Sequence, residues 1–76
     1  LLRRATEEVV DRLADWDLLG PERRVLEIGC GVGRFVAATA PRVGHVTGLD
    51  LSPGMIVQAK ARCGGLGNVM LRVSSG

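Results

Sequence analysis

Five residues in this chain of 76 combine types and spacing that can do chemistry together: Glu27, Gly29, Gly31, Gly33 and Asp50. The glycines alternate in Glu27-Ile28-Gly29-Cys30-Gly31-Val32-Gly33, between a short β-branched run, Val25 to Ile28, and a helical stretch that opens at Arg34. Glycine admits the backbone angles of a sharp turn and lets the main chain come close to a ligand, while unpaired N–H groups at a helix start attract polar or anionic atoms. Asp50 closes the next apolar run, 17 residues after Gly33, where a carboxylate can accept hydrogen bonds from the vicinal hydroxyls of a ribose. Glu27 is an acid in an otherwise apolar run, costly to bury unless something pairs with it, so it is expected to face the ligand. Together these features point to a ligand that contains a nucleoside.

The elements that must hold these residues follow from periodicity and punctuation. From Thr6 to Leu19, Val9, Val10, Leu13 and Trp16 recur at helical spacing among charged residues, which predicts an amphipathic helix capped by Thr6 and ended by Gly20-Pro21. Trp16 is expected to cover a sheet edge or a core face. Val25 to Ile28 reads as a buried parallel strand, Arg34 to Ala40 as a short helix stopped by Pro41, and His45 to Leu49 as a second strand ending at Asp50. Ser52-Pro53 predicts a hydroxyl cap with proline in the first turn, and the helix it starts runs to about Cys63, closed by Gly64-Gly65 in the left-handed region. Val69 to Val73 is the third strand. Helix followed by β-α-β-α-β is the order of an α/β, doubly wound parallel sheet, divided here into an N-terminal helix over 1–21 and a single β-α-β-α-β unit over 22–76.

Composition narrows the class. Ten basic residues stand against eight acidic ones, and the arginines are spread from Arg3 to Arg72 instead of forming a stripe, so no nucleic-acid partner is indicated. Cys30 and Cys63 lie far apart with no CxxC or Cys/His spacing, which supports neither a disulfide framework nor a metal site and makes a reducing, cytoplasmic setting the expectation. The apolar runs are too short to span a membrane, and Leu1-Leu2-Arg3-Arg4 lacks the layout of a signal peptide. A domain this small buries only roughly 60% of its unfolded surface. Both ends look cut, so the chain is expected to be a truncated domain. Among the remaining candidates, Cys63 reads as helix core, His45 as a solvated strand end and Gly48 as a close-packing glycine; Met55 fits a core position and a ligand wall equally.

Glu27-Ile28-Gly29-Cys30-Gly31-Val32-Gly33 resembles the first motif of class I S-adenosylmethionine-dependent methyltransferases, an acid-x-Gly-x-Gly-x-Gly pattern. Val46-Thr47-Gly48-Leu49-Asp50-Leu51-Ser52-Pro53-Gly54-Met55 is similar to the segment that follows it in that family, and Asn68-Val69-Met70-Leu71-Arg72-Val73 to the third strand; the likeness covers roughly residues 24 to 76. The resemblance implies a partial Rossmann-like fold with strand order 3-2-1, and S-adenosylmethionine as cofactor with S-adenosylhomocysteine as product. It implies that Gly29, Gly31 and Gly33, with Cys30 in the same loop, floor the methionine part. Glu27 would reach the ammonium, Asp50 the ribose diol, and Leu51 and Met55 the two sides of the adenine. Ser75 stands where many members carry an adenine-contacting Asp. No catalytic residue and no metal site is implied, because the family's substrate contacts come largely from the fourth strand onward. By the same resemblance the acceptor is expected to be a small molecule. The 76 residues alone are expected to be inactive and to self-associate through an unpaired sheet edge. Two rivals remain: a non-catalytic nucleotide-binding module of the same fold, and an NAD(P)-binding oxidoreductase fragment, whose fingerprint is normally GxGxxG.

Overall fold

A computed structural model describes residues 2–75 of the chain, with side chains from Thr6 onward. The elements run α1 (Leu2–Asp15), β1 (Gly20–Ile28), α2 (Arg34–Thr39), a 3-10 turn (Ala40–Arg42), β2 (Val43–Asp50), α3 (Pro53–Cys63) and β3 (Val69–Val73). The order and the last helix and strand are those expected; the first elements are displaced. α1 begins well before Thr6, which therefore lies inside the helix and does not cap it. It stops at Asp15 because Asp17 takes a left-handed conformation (φ 57°). The Asp17 N–H then donates to the Ala14 carbonyl and the Leu18 N–H to the Leu13 carbonyl, both at 3.0 Å, the paired bonds that close a helix end. β1 starts at Gly20 because Gly20 pairs with Val43, with an irregularity before regular pairing resumes at Arg24; Pro21 is tolerated because β1 is an edge strand.

β2 lies in the middle of the three-stranded sheet, parallel to β1 on one side and β3 on the other. Val25 of β1, Val46 of β2, and Val69 and Leu71 of β3 join Val36 and Ala37 of α2 and Ile56 and Cys63 of α3 in a single apolar cluster. Val36 and Val46 are fully buried there. Alternate residues along a strand face opposite sides, and those of the other parity are open: Leu26 is 59%, Ile28 78% and Met70 42% exposed. The described helices thus cover one face of the sheet, so the parallel α/β order expected is present while a second helical layer is not among the described residues. Both crossovers link adjacent parallel strands in one direction across the sheet, and a common right-handedness puts their helices on the same side.

Three smaller departures share a cause, local signals yielding to packing. Trp16 is 62% exposed, because α1 buries Val10 and turns Trp16 outward. Gly64 is right-handed (φ −59°) and Gly65 is absent from the residues of positive φ, so α3 does not end in the left-handed cap expected. Its exit is held instead by the Leu66 N–H on the Cys63 carbonyl at 2.9 Å. Asn68, which sequence reasoning treated only as the residue before a strand, donates through Nδ2 to the carbonyls of Ala40 (2.7 Å) and Val43 (3.1 Å) and so ties the 3-10 turn to the start of β3.

Candidate functional site

The carboxyl ends of β1 and β2 and the turns after them meet around Asp50. Its Oδ2 accepts from the Gly31 N–H at 2.9 Å and its Oδ1 from the Ser52 N–H at 2.9 Å. One side chain thereby joins the glycine loop to the turn that starts α3. Hydrogen bonds from Ser52 and Gly31 hold its carboxyl below the ordinary carboxylate range, so it is ionised at neutral pH. Each carboxylate oxygen keeps a further lone pair for a ligand hydroxyl. Ser52 caps α3 as expected, its Oγ accepting from the Met55 N–H at 3.3 Å.

The loop is gripped at several points. The N–H groups of Gly29 and Cys30 donate to the Leu49 carbonyl at 2.7 and 2.9 Å, and the Gly33 N–H to the Cys30 carbonyl at 3.0 Å. Arg62 of α3 donates from Nε to the Val32 carbonyl at 3.1 Å. Sequence reasoning passed over Arg62, since nothing in its local spacing connects it to residues thirty positions earlier. Gly29, Gly31 and Gly33 all have positive φ, at 75°, 56° and 85°, but the space around them differs. A Cβ on Gly29 or Gly31 would meet nothing within 4 Å, whereas one on Gly33 would come to 3.0 Å of the Ala59 Cβ and 3.1 Å of its Cα. The first two glycines leave an open seat, and the third lets α2 pack on α3.

The other expected site residues divide. A cavity of about 250 Å³ is lined by Ile28, Gly29, Leu49, Asp50, Leu51 and Ser74, so Asp50, Leu51 and Gly29 share one hollow with largely apolar walls. Ser74, whose N–H donates to the Asp50 carbonyl at 2.8 Å, lines it where Ser75 was expected; Ser75 is exposed. Met55 is partly exposed in the first turn of α3. Cys30 turns its side chain into the core, against Gly48, where an added Cβ would meet the Cys30 Sγ at 3.1 Å. Only its main chain belongs to the loop, and burial pushes its thiol pKa up, away from nucleophilic reactivity. Burial also raises the pKa of Glu27, on β1 just before the loop. Among the described residues no group of His, Cys, Asp and Glu is placed to hold a metal ion, and no helix is long and apolar enough to cross a membrane.

Comparison with known proteins identifies the family of the chain. The family model described as a methyltransferase domain matches residues 25–75. The chain is 35% identical over 65 residues to the 23S rRNA (uracil(1939)-C(5))-methyltransferase RlmD of Klebsiella pneumoniae, covering 83% of this chain and 15% of that protein. With the enzyme of the same name from Methylococcus capsulatus it shares 41% identity over 56 residues, 71% of this chain and 13% of that one. The crystal structure of the 23S rRNA methyltransferase ErmE superposes with a TM-score of 0.71 at 26% identity, covering 86% of this chain and 27% of that one. The chain therefore spans about one seventh of the length of the curated relatives it matches. Relatives named for methylating ribosomal RNA overturn the expectation of a small-molecule acceptor with no nucleic acid indicated. Scattered arginines misled there, because a stripe along the sequence is not required for charges to gather on a folded surface. With the match spanning both strand ends and the glycine loop between them, the chain belongs to the methyltransferase domain family.

Proposed function

We propose that this domain is the S-adenosylmethionine-binding part of an RNA methyltransferase. The observation that carries the reading is the Asp50 carboxylate, which holds the Gly31 and Ser52 N–H groups beside a hollow it shares with Leu51 and Gly29. That arrangement fits an adenosyl group: free carboxylate lone pairs for a ribose diol, apolar walls for a base, and main chain bare of Cβ atoms over Gly29 and Gly31. When bound, S-adenosylmethionine supplies a methyl group on a positively charged sulfur, open to in-line attack by a nucleophile of the acceptor.

The chain's own part is to bind and orient. Asp50 takes the ribose hydroxyls, Leu51 and Met55 flank the adenine, and Gly29 and Gly31 let the donor lie against the backbone. Glu27 faces the ammonium of the methionine part, whose positive charge offsets the desolvation of its carboxylate. Cys30 and Gly33 serve the loop through packing, and Ser74 joins Ser75 as a candidate for the adenine edge. Rate enhancement at such a site comes mainly from positioning the two reactants and excluding water. The RNA acceptor is supported by the names of the relatives.

The test is made on the full-length protein. Calorimetric titration should show S-adenosylhomocysteine binding, with none for NAD or NADP, and transfer of labelled methyl from S-adenosylmethionine should mark ribosomal RNA. Absence of affinity for S-adenosylhomocysteine overturns the cofactor assignment; label appearing only on small molecules overturns the acceptor.

A further inference from the structure

Charge is segregated in the folded chain in a way its formal balance hides. Residues 1 to 17 hold five acids and three bases, whereas residues 20 to 76 hold seven bases and three acids. Within the basic part, Arg34 opens α2 and Arg62 lies near the end of α3. They line one hollow of about 440 Å³ with Thr6, Glu7, Ala37 and Ala38. Both side chains are exposed, and among the described residues no carboxylate pairs with either, whereas Arg23 and Arg42 pair with Glu22 and Asp11. Glu7, on the α1 wall, is engaged in an interaction of its own. Arg62 uses Nε for the Val32 carbonyl, which leaves the outer nitrogens of its guanidinium as donors.

We propose that Arg34 and Arg62 clamp a backbone phosphate of the RNA acceptor, an inference that rests on the RNA reading given above. Two guanidinium groups from separate elements beside an open hollow suit a phosphodiester, which takes charge-assisted, often bidentate hydrogen bonds from arginine. The bond from Arg62 to Val32 stiffens one side of the clamp and sets it directly against the glycine loop. The site reads no sequence; it fixes where the strand lies relative to the cofactor loop.

The experiment measures RNA affinity of the full-length protein across a salt series, together with S-adenosylhomocysteine affinity, for the wild type, Arg34→Gln, Arg62→Gln, Arg62→Lys and Arg24→Gln. Arg24 shares the parity of Leu26 and Ile28 on the bare side of the sheet and serves as a charge control. Arg34→Gln and Arg62→Gln should each lower the slope of log affinity against log salt, together by about 0.7–0.9, the amount for the one phosphate they share. Arg62→Lys should keep most of the slope, Arg24→Gln all of it, and Arg34→Gln should leave S-adenosylhomocysteine affinity unchanged. Unaltered slopes in Arg34→Gln and Arg62→Gln, or an equal drop in Arg24→Gln, overturn the clamp while RNA binding itself stands. A wild type that binds no RNA at low salt overturns the RNA reading and the clamp with it.

Discussion

Gly31 and Gly33 look alike in the sequence and do different work. Gly31→Ala carries only the conformational penalty of a left-handed residue, about 1–2 kcal/mol, because its Cβ enters open space; that space is the proposed seat, so S-adenosylhomocysteine affinity should fall by about tenfold or more while the protein stays folded. Gly33→Ala adds overpacking against Ala59, and a combined cost of about 2–5 kcal/mol should show as a large drop in the urea midpoint. The two acids respond oppositely to pH. Asp50 has a folded pKa below its unfolded one, so its contribution to stability is complete above the unfolded value and is lost as pH falls through the lowered one. The difference in melting temperature between wild type and Asp50→Asn should therefore be level through neutrality and shrink in acid. Glu27 has a raised folded pKa through burial, so its ionisation works against folding as pH rises through that value. Glu27→Gln should raise the melting temperature at neutral pH by a few degrees, with the gain vanishing in acid, and should weaken cofactor binding, a stability gain at a functional position.

At the scale of elements, the ends of helices decide where the site can form. Ser52 caps α3 and stands two residues from Asp50, so Ser52→Ala should cost about 1 kcal/mol and loosen the turn that Asp50 holds. Differential scanning calorimetry reads the first effect and S-adenosylhomocysteine titration the second. α1 ends on a left-handed aspartate instead of a glycine, an avoidable conformational cost. Asp17→Gly should therefore stabilise the protein by up to about 1 kcal/mol without altering cofactor affinity; a lower melting temperature would show that the Asp17 side chain supports the helix end. Ser52-Pro53 and the strand after Asn68 were legible because caps, prolines and β-branched runs act locally. The end of α1 was not, since the left-handed turn at Asp17 has no glycine to announce it.

For the molecule as a whole, one apolar cluster under one face of the sheet carries the fold. At 0.05–0.15 kcal/mol per residue a chain of this size has a total stability of only about 4–11 kcal/mol. Val36→Ala, at a fully buried position, should remove about 2–3 kcal/mol and leave a substantial unfolded fraction in mild denaturant, visible by far-UV circular dichroism. The sequence by itself determined the alternation of strand and helix, the parallel order, the glycine turn and the acid at the end of the second strand, because each rests on residues within a few positions of one another. Only the tertiary structure decided which glycines border open space and which face a helix, that Cys30 turns inward, that Ser74 joins the hollow, and that Arg34 and Arg62 line another hollow together. Those outcomes depend on α2 and α3 lying on the same side of one sheet and on β3 pairing with β2, and residues brought together by such packing leave no periodic trace along the chain.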